Sequence, residues 1–168
     1  SADARRIEKL IQRSRDTETT VDLAATVDRV VDAVTDAPPP DADVVVEVPP
    51  ARVRLNEGLF RFALGNLIEN AIEHSDASNP RIEIRGTVTD AGIELVVADD
   101  GPGIPEAELA VLESGQEDPL AHATSLGLWG ANWAVQTLGG DLSLGTSDLG
   151  GAMARIDLPA TRLASGDD

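Results

Sequence analysis

The sequence predicts an α+β fold: a two-layer sandwich in which helices cover one face of a mixed, mostly antiparallel sheet. Predicted elements follow in the order helix, strands, long helix, hairpin, loop, helix, hairpin, so helices and strands are grouped rather than strictly alternating. The turn Asp90-Ala91-Gly92 is typical of a hairpin, which makes its flanking strands antiparallel neighbours. The chain of 168 residues is long enough for one domain with a hydrophobic core.

The start of the chain predicts two separate helical segments. Ala4–Arg15 carries an apolar stripe that is too small for an independent core, so we interpret it as the end of a longer helix, followed by a polar linker. Asp22 is a candidate N-cap for the next helix, which runs to Val34. The chain is thereby divided into a remnant helix with its linker, the main domain and a disordered tail, at residues 1–20, 21–159 and 160–168.

Hydrophobic periodicity and turn residues divide the main domain into further elements. Period-two alternation and β-branched runs predict strands, and longer stretches with apolar residues at helical spacing predict helices. The predicted strands are Val44–Val48, Arg52–Leu55, Arg81–Val88, Ile93–Ala98, Asp141–Leu144 and Ala152–Leu158. The predicted helices are Leu59–His74 with Asn56 as its cap, Pro105–Leu112, and Leu126–Leu138 closed by Gly139-Gly140, with a mobile loop at Glu113–Thr124.

The helix Leu59–His74 combines a core face with a row of polar side chains. Asn66 and Asn70 lie four residues apart, and His74 continues their row. Asparagine is a mediocre helix former, so two of them in mid-helix need partners. The row is either a solvated polar stripe or a set of side chains directed at a ligand.

Two further stretches contain small residues where a ligand can approach the backbone. Asp99-Asp100-Gly101-Pro102-Gly103-Ile104 directly follows a predicted strand, and Ser125-Leu126-Gly127-Leu128 opens a predicted helix. Glycine permits close approach and unusual φ angles, and a helix N-terminus offers amides to an anion. Each stretch alone is typical of an ordinary turn or helix start. Their order along the chain, together with the asparagine pair, is far more specific than any one of them.

The composition excludes several classes of function. With 13 basic and 30 acidic residues the net charge is −17, which argues against nucleic-acid binding. The absence of cysteine excludes thiol chemistry, and two histidines make a histidine-based zinc site a poor candidate. No apolar run is long enough to span a bilayer. Lys9 is the only lysine, a balance that we interpret as a halophilic source against the alternative of an ordinary acidic protein.

These motifs resemble the GHKL superfamily, the ATP-binding domain shared by gyrase, the heat-shock chaperone ATPase, sensor histidine kinases and the mismatch-repair ATPase. NLIENAIEH at 66–74 is similar to the family's N box and DDGPGI at 99–104 to its first glycine box. SLGLWGANWAVQTLGG at 125–140 is similar to the second glycine box and following helix of histidine kinases. The resemblance covers about Val21 to Pro159, and residues 4–15 resemble the last turns of the dimerisation helix that precedes this domain in such kinases. It implies the Bergerat ATP-binding fold and the activity of an ATP-dependent protein-histidine kinase.

The resemblance also implies roles for particular residues. Asn70 would coordinate Mg²⁺ through its amide oxygen, Asn66 would lie near the phosphates, and Asp99 would accept a hydrogen bond from the exocyclic amine of adenine. The remaining contacts to ATP would be made by His74, Gly101, Gly103, Ile104, Ser125, Leu126, Gly127 and Leu128. Branches that hydrolyse ATP have glutamate at the position of Asn66, and an amide cannot act as a general base. The sequence therefore favours transfer of the γ-phosphoryl group over hydrolysis.

Several positions depart from the family pattern. The second glycine box usually has glycine at the positions of Ala123 and Ser125. The last strand usually opens with threonine where this chain has Ala152, and lysine is frequent at the position of Glu73. The alternative function is therefore a degenerate domain that binds nucleotide weakly or not at all and acts as a regulatory interaction module.

The expected partners follow from the same resemblance. In sensor kinases the phosphoryl acceptor is a histidine on a dimerisation helix, and neither His74 nor His122 lies on such a helix. The partners would be the phosphoacceptor domain of the same protein and, indirectly, a response regulator. We expect a homodimeric full-length protein, a domain that is monomeric in isolation, and a cytoplasmic location, with attachment of the full-length protein to a membrane left open.

Three other conspicuous side chains have ordinary interpretations. Trp129 and Trp133 lie one helical turn apart, which we interpret as packing onto the core or a neighbouring domain rather than as stacking on a base. His122 lies in the predicted loop, and we interpret it as an exposed residue rather than a contact to phosphate. None of the three is needed for the proposed nucleotide site.

Overall fold

Apart from an additional first strand, the helices and strands that the structure describes are grouped in the predicted order. The computed structural model describes residues 18–36, 43–73, 80–101 and 122–164, together with Arg5; for Asp36, Glu73 and 122–127 it describes the backbone alone. The elements are β1 (Thr19–Asp22), α1 (Leu23–Asp36), β2 (Asp43–Glu47), β3 (Arg52–Leu55), α2 (Glu57–Glu73), β4 (Arg81–Thr89), β5 (Gly92–Asp99), α3 (His122–Thr137), β6 (Asp141–Thr146) and β7 (Ala152–Pro159), followed by a short 3₁₀ helix at Ala160–Arg162.

The main sheet has five strands in the order β2-β4-β5-β7-β6. Its neighbours are antiparallel except for β2 and β4, which run parallel. The β4–β5 hairpin turns where predicted: Gly92 pairs with Thr89, and its φ of 139° favours glycine. The expected mixed, mostly antiparallel sheet is confirmed.

The two faces of the main sheet differ in burial. Alternate strand residues such as Ile84, Leu95 and Ile156 are fully or almost fully buried and belong to one core with the helices. The other face carries exposed ion pairs, among them Arg155 Nε with Asp157 Oδ2 at 2.9 Å. The hydrogen bond from Arg155 to Asp157 raises the pKa of the guanidinium above its ordinary value. Exposed pairs of this kind add little stability, but they keep this face in solvent while the helices cover the opposite one.

Short polar side chains start the first two helices. Asp22 Oδ1 accepts a hydrogen bond from the N–H of Ala25 at 3.3 Å. Asn56 Oδ1 accepts from the N–H of Leu59 at 3.0 Å. These are the bonds expected of N-cap residues, and both predicted caps are confirmed.

Two glycines end α3. Gly139 has a φ of 84°, and its N–H donates to the carbonyl of Gln136 at 2.9 Å. The N–H of Gly140 donates to the carbonyl of Val135, also at 2.9 Å. The two bonds form a Schellman motif, which confirms the predicted closure of this helix.

The segment before α1 is a strand where the sequence predicts a polar linker. β1 pairs antiparallel with β3 in a separate two-stranded sheet, with Thr19 opposite Leu55 and Asp22 opposite Arg52. Thr19, Thr20 and Val21 are β-branched and favour a strand. The threonine hydroxyl groups make this short segment look polar, which masks its preference for a strand. The linker prediction is therefore wrong for Thr19 and Thr20.

The helix α3 begins at His122, four residues before the predicted Leu126. Residues 122–125 are His, Ala, Thr and Ser, and no glycine or proline interrupts them. The helix can therefore extend toward its N-terminus past the predicted boundary. The predicted loop at Glu113–Thr124 is wrong for its last three residues.

The segment after β7 is ordered as far as Ala164, although the sequence predicts a disordered tail. Arg162 donates from Nε to the carbonyl of Leu138 at 3.0 Å and forms an ion pair with Glu18 at 2.7 Å. The N–H of Ala164 donates to the carbonyl of Arg52 at 2.9 Å. These partners are far away in the sequence, so local composition does not reveal them.

Other predicted segments lie outside the described residues. They are Ala4–Arg15 apart from Arg5, the prolines at 38–40, the turn up to residue 79, the helix Pro105–Leu112 and the rest of the loop. The division of the chain into domains at residues 20 and 159 stays a prediction. In the described part of the chain, every helix is too short or too polar to cross a membrane.

Replacing Gly65 by alanine is expected to stabilise the protein. Gly65 lies in the interior of α2, where glycine costs about 0.5–1 kcal/mol relative to alanine. An added Cβ would meet Val30 Cγ1 at 3.9 Å, an ordinary van der Waals distance. Thermal unfolding followed by circular dichroism should give a melting temperature raised by roughly 1–4 °C. A lower melting temperature would contradict this account of the packing between α1 and α2.

Candidate functional site

The end of β5 holds a buried carboxylate. Asp99 is 7% exposed, and its Oδ1 accepts hydrogen bonds from the N–H of Gly101 at 2.9 Å and of Ala152 at 3.0 Å. A buried carboxylate requires donors of this kind. Both bonds engage the same oxygen, and no described residue donates to Oδ2. The prediction that Asp99 lies at a buried strand end is confirmed.

The loop between β6 and β7 packs against Asp99. The hydroxyl of Ser147 donates to the Asp99 carbonyl at 2.6 Å, and Ser147 is 6% exposed. Gly151 is so close that a Cβ would collide with Oδ1 of Asp99 and would lie 2.5 Å from both the Asp99 carbonyl oxygen and the amide nitrogen of Gly101. The hydroxyl of Ser147 and the absence of a side chain at Gly151 together allow this loop to pack closely around the carboxylate.

The asparagine pair lies on the flank of α2. Asn66 and Asn70 are half-buried, and within the described ranges neither side chain makes a hydrogen bond. Asn66 lines an open groove of about 420 Å³ between α1 and α2, together with Val30, Arg61 and Phe62. The predicted row of amides is therefore present, while its ligand stays a prediction. Asp99 is not among the residues that line this groove.

The glycine-box residues are only partly described. His74, Gly103 and Ile104 lie outside the described residues. Because α3 begins at His122, the amides of 126–128 lie in its second turn rather than at its N-terminus, which corrects the predicted geometry. The side chain of Leu128 is buried in the core, so only its backbone can face a ligand.

The tryptophan pair packs within the protein. The rings of Trp129 and Trp133 are stacked, with centroids 6.2 Å apart and planes inclined by 8°. Both are partly buried and pack against the core. Their interpretation as packing residues is confirmed.

The sequence interpretation missed Ser147 and Gly151. Their signal was a Gly-Gly pair directly before a strand, preceded by a serine in a polar turn. Such a turn is common, and only its contacts to Asp99 identify it as part of the site.

The described residues contain no group of three or more acidic or histidine side chains that could hold a metal ion. A site with one amide ligand is of a different kind, because Mg²⁺ keeps several waters and takes oxygens from phosphates.

Comparison with known proteins gives a family match over most of the domain. The family described as histidine kinase-, DNA gyrase B-, and HSP90-like ATPase matches residues 55–162. Sensor-type histidine kinase PrrB of Mycobacterium leprae is 33% identical over 165 residues, which is 92% of this chain and 36% of that protein. Sensor protein kinase CarS of Pseudomonas aeruginosa is 41% identical over 100 residues, 57% of this chain and 21% of that protein. The chain thus spans about a third or less of these relatives.

Solved structures agree with this match. The crystal structure of the ATP binding domain of PrrB from Mycobacterium tuberculosis has a TM-score of 0.66 and 30% identity, covering 89% of this chain and 100% of that one. The mycobacterial sensor histidine kinase MprB has a TM-score of 0.70 and 29% identity, covering 85% and 97%. The arrangement of helices over one face of the sheet is therefore shared with domains of this kind.

Proposed function

This chain belongs to the family of histidine kinase-, DNA gyrase B- and HSP90-like ATPases, and we propose that it binds Mg-ATP and donates the γ-phosphoryl group to a histidine on a dimerisation helix. The observation that carries this proposal is the buried Asp99, whose Oδ1 is held by two amides while Oδ2 is left for another donor. The exocyclic amine of adenine is such a donor. The name of the M. tuberculosis structure, an ATP binding domain, supports the same ligand.

The half-buried amides of α2 are proposed to face the phosphates. The amide oxygen of Asn70 is the proposed protein ligand of Mg²⁺, since hard cations prefer oxygen donors. When bound, Mg²⁺ would neutralise part of the phosphate charge. Asn66 would donate its N–H groups near the phosphates, and Arg61 lines the same groove as Asn66. Two amides on one helix flank that make no side-chain hydrogen bond in the described part of the chain fit these roles.

The remaining contacts are proposed for the two glycine boxes. Gly101, whose N–H holds Asp99, would lie beside the base with Gly103 and Ile104. Backbone amides of Ser125, Leu126, Gly127 and Leu128 are proposed for the phosphates, with His74 as a further contact. Because α3 begins at His122, its free amides belong to 122–125, and those of 126–128 become available only if the first turn unwinds.

Phosphoryl transfer is favoured over hydrolysis by Asn66. A hydrolase needs a general base to activate water, and an amide cannot accept the proton. The proposed acceptor is a histidine of the phosphoacceptor domain of the same protein, and a response regulator would take the phosphoryl group next. Names of curated relatives, such as sensor-type histidine kinase, support this setting. A homodimeric full-length protein and a cytoplasmic domain belong to the same proposal.

One observation favours the alternative of a degenerate domain. Ala152 is 7% exposed and lies directly beside Asp99, where the family usually has a threonine hydroxyl. Its backbone N–H still holds the carboxylate, so what is lost is a single side-chain hydrogen bond near the base. A domain weakened in this way could bind other proteins without turning over ATP, and nucleotide titration separates the two functions.

Titration calorimetry with ATP tests the proposed metal site. The wild-type protein is expected to bind ATP more tightly with Mg²⁺ than with EDTA. Mutation of the groups that orient a metal ligand costs about 10- to 100-fold in affinity, so Asn70→Ala should lower the Mg²⁺-dependent gain at least about tenfold. ATP affinity in EDTA should stay unchanged. Titrations at low and high KCl would also test the predicted halophilic adaptation.

Asn132→Ala is the matched control, because Asn132 is a half-buried asparagine on α3 outside the proposed site. It should leave both affinities unchanged. A wild-type protein that binds no nucleotide at any salt concentration would contradict the kinase proposal and favour the degenerate domain.

To separate transfer from hydrolysis, labelled ATP is mixed with this domain and a dimerisation domain. Label on protein supports transfer, whereas label released only as free phosphate contradicts it.

A further inference from the structure

We propose that Ser147 is a positioning residue that orients the Asp99 carboxylate and thereby sets the selectivity for adenine. This inference rests on the proposed function, because it assumes that Asp99 faces the base. Neither the sequence motifs nor the comparisons assign a role to Ser147. The way in which β5 and β7 are joined changes at the end of the sheet, beside Asp99.

The backbone pairing of β5 with β7 ends one residue before Asp99. The last pair in the register is Ala98 opposite Met153. Beyond it, hydrogen bonds that involve side chains take over: the N–H of Ala152 on β7 donates to the Asp99 carboxylate, and the Ser147 hydroxyl of the β6–β7 loop donates to the Asp99 carbonyl. The backbone of Asp99 is therefore held by a residue of the β6–β7 loop, and its side chain by the first residue of β7.

The direction of the Ser147 hydroxyl is itself fixed. Its Oγ accepts a hydrogen bond from the N–H of Leu149 at 2.9 Å. Its backbone N–H donates to the carbonyl of Gly151 at 2.8 Å, and its carbonyl accepts from the N–H of Gly150 at 3.1 Å. A serine hydroxyl has one proton. With Leu149 occupying a lone pair, that proton is directed to Asp99, where the 2.6 Å distance is typical of a good O–H···O bond.

Removal of the hydroxyl would act on the carboxylate through the backbone. The Asp99 carbonyl would lose a donor in a place that is 7% exposed, and an unpaired buried acceptor is unfavourable. The backbone at Asp99 would then shift toward another donor, and Oδ2 would move relative to the base. The phosphates bind elsewhere in the proposed site, so their contacts would be unaffected. Removal of the hydroxyl is therefore expected to weaken the preference for adenine over other bases, without a general loss of nucleotide binding.

The experiment compares ATP with purine riboside 5′-triphosphate, which lacks only the 6-amino group. Dissociation constants are measured for the wild-type protein and for Ser147→Ala, Ser147→Thr and Ser143→Ala. Ser143 is an exposed serine on β6 of the same hairpin and is the matched control. The ratio of the two constants is the readout, because partial unfolding weakens both nucleotides equally and leaves the ratio unchanged.

The wild-type protein and Ser143→Ala should prefer ATP. Ser147→Ala should lower that preference by about fivefold to tenfold, the range expected when a buried hydrogen bond is broken, and Ser147→Thr, which keeps the hydroxyl, should restore it. An unchanged ratio in Ser147→Ala, or an equal fall in Ser147→Thr, overturns the positioning role alone. A wild-type protein that binds neither nucleotide removes the basis of the proposed function as well.

Discussion

Asp99→Asn is expected to lower the affinity for ATP by about 10- to 150-fold, the range for a lost hydrogen bond to a charged group. The amides of Gly101 and Ala152 both donate to Oδ1, so that position must be occupied by an acceptor. The asparagine oxygen takes it, and the NH₂ group then replaces Oδ2. Two donors would face each other at the 6-amino group of adenine. Inosine triphosphate has a carbonyl at this position and should bind the variant better than ATP.

Equilibrium titration of both nucleotides checks this reversal. Asp148→Asn is the matched control, since Asp148 is exposed in the β6–β7 loop and its replacement changes the net charge by the same amount. It should retain the preference for ATP. An Asp99→Asn variant that is folded by circular dichroism and still prefers ATP to inosine triphosphate would show that this carboxylate does not contact the base.

Gly151→Ala is expected to reduce both stability and ATP affinity. The new Cβ would collide with Oδ1 of Asp99 and lie 2.5 Å from the Gly101 nitrogen, and the backbone atoms on both sides cannot move aside cheaply. Overpacking of this kind typically costs about 1–3 kcal/mol. Urea unfolding should show that loss, and ATP titration of the folded variant should show weaker binding because the carboxylate is displaced.

Gly145→Ala gives the comparison for this change. Gly145 lies on β6 of the same hairpin, and an added Cβ would have Met153 Cε, the end of a flexible side chain, as its nearest neighbour at 3.4 Å. The free energy of unfolding and the ATP affinity of this variant should stay close to the wild-type values. If Gly151→Ala matched Gly145→Ala in both measurements, the close packing of the loop onto Asp99 would be refuted.

Local patterns in the sequence were sufficient for the elements whose signals are local. The hairpin at Gly92, the caps at Asp22 and Asn56 and the glycine closure of α3 each depend on a few neighbouring residues, and all are confirmed. β1 was missed because a four-residue strand gains its stability from its partner β3, whose paired residues lie 30 to 36 positions away in the sequence. The ordered structure of the segment after β7 was missed for the same reason, because its partners lie on β3, just after α3 and before β1.

The candidate site likewise contains residues that local sequence patterns identify and residues that they do not. Asp99 was found because its turn has a distinctive sequence, and the asparagines were found because their spacing is helical. Ser147 was not found, because its bond to Asp99 joins residues 48 positions apart. Helical spacing also could not reveal that Asn66 lies in a groove between α1 and α2, since the spacing of a helix does not identify the element packed beside it.

The ion pair between Arg162 and Glu18 brings the residue before β1 next to the segment after β7, and Ala164 of that segment bonds to Arg52 on β3, the partner strand of β1. In general, a domain whose entry and exit points lie close together can be joined to other domains without disturbance of its core. β1 is also connected to α2 through few contacts. Thr19 pairs with Leu55, and the next residue, Asn56, caps α2. Residue 18 is thus separated by a single strand pair from the start of the helix that carries the two asparagines.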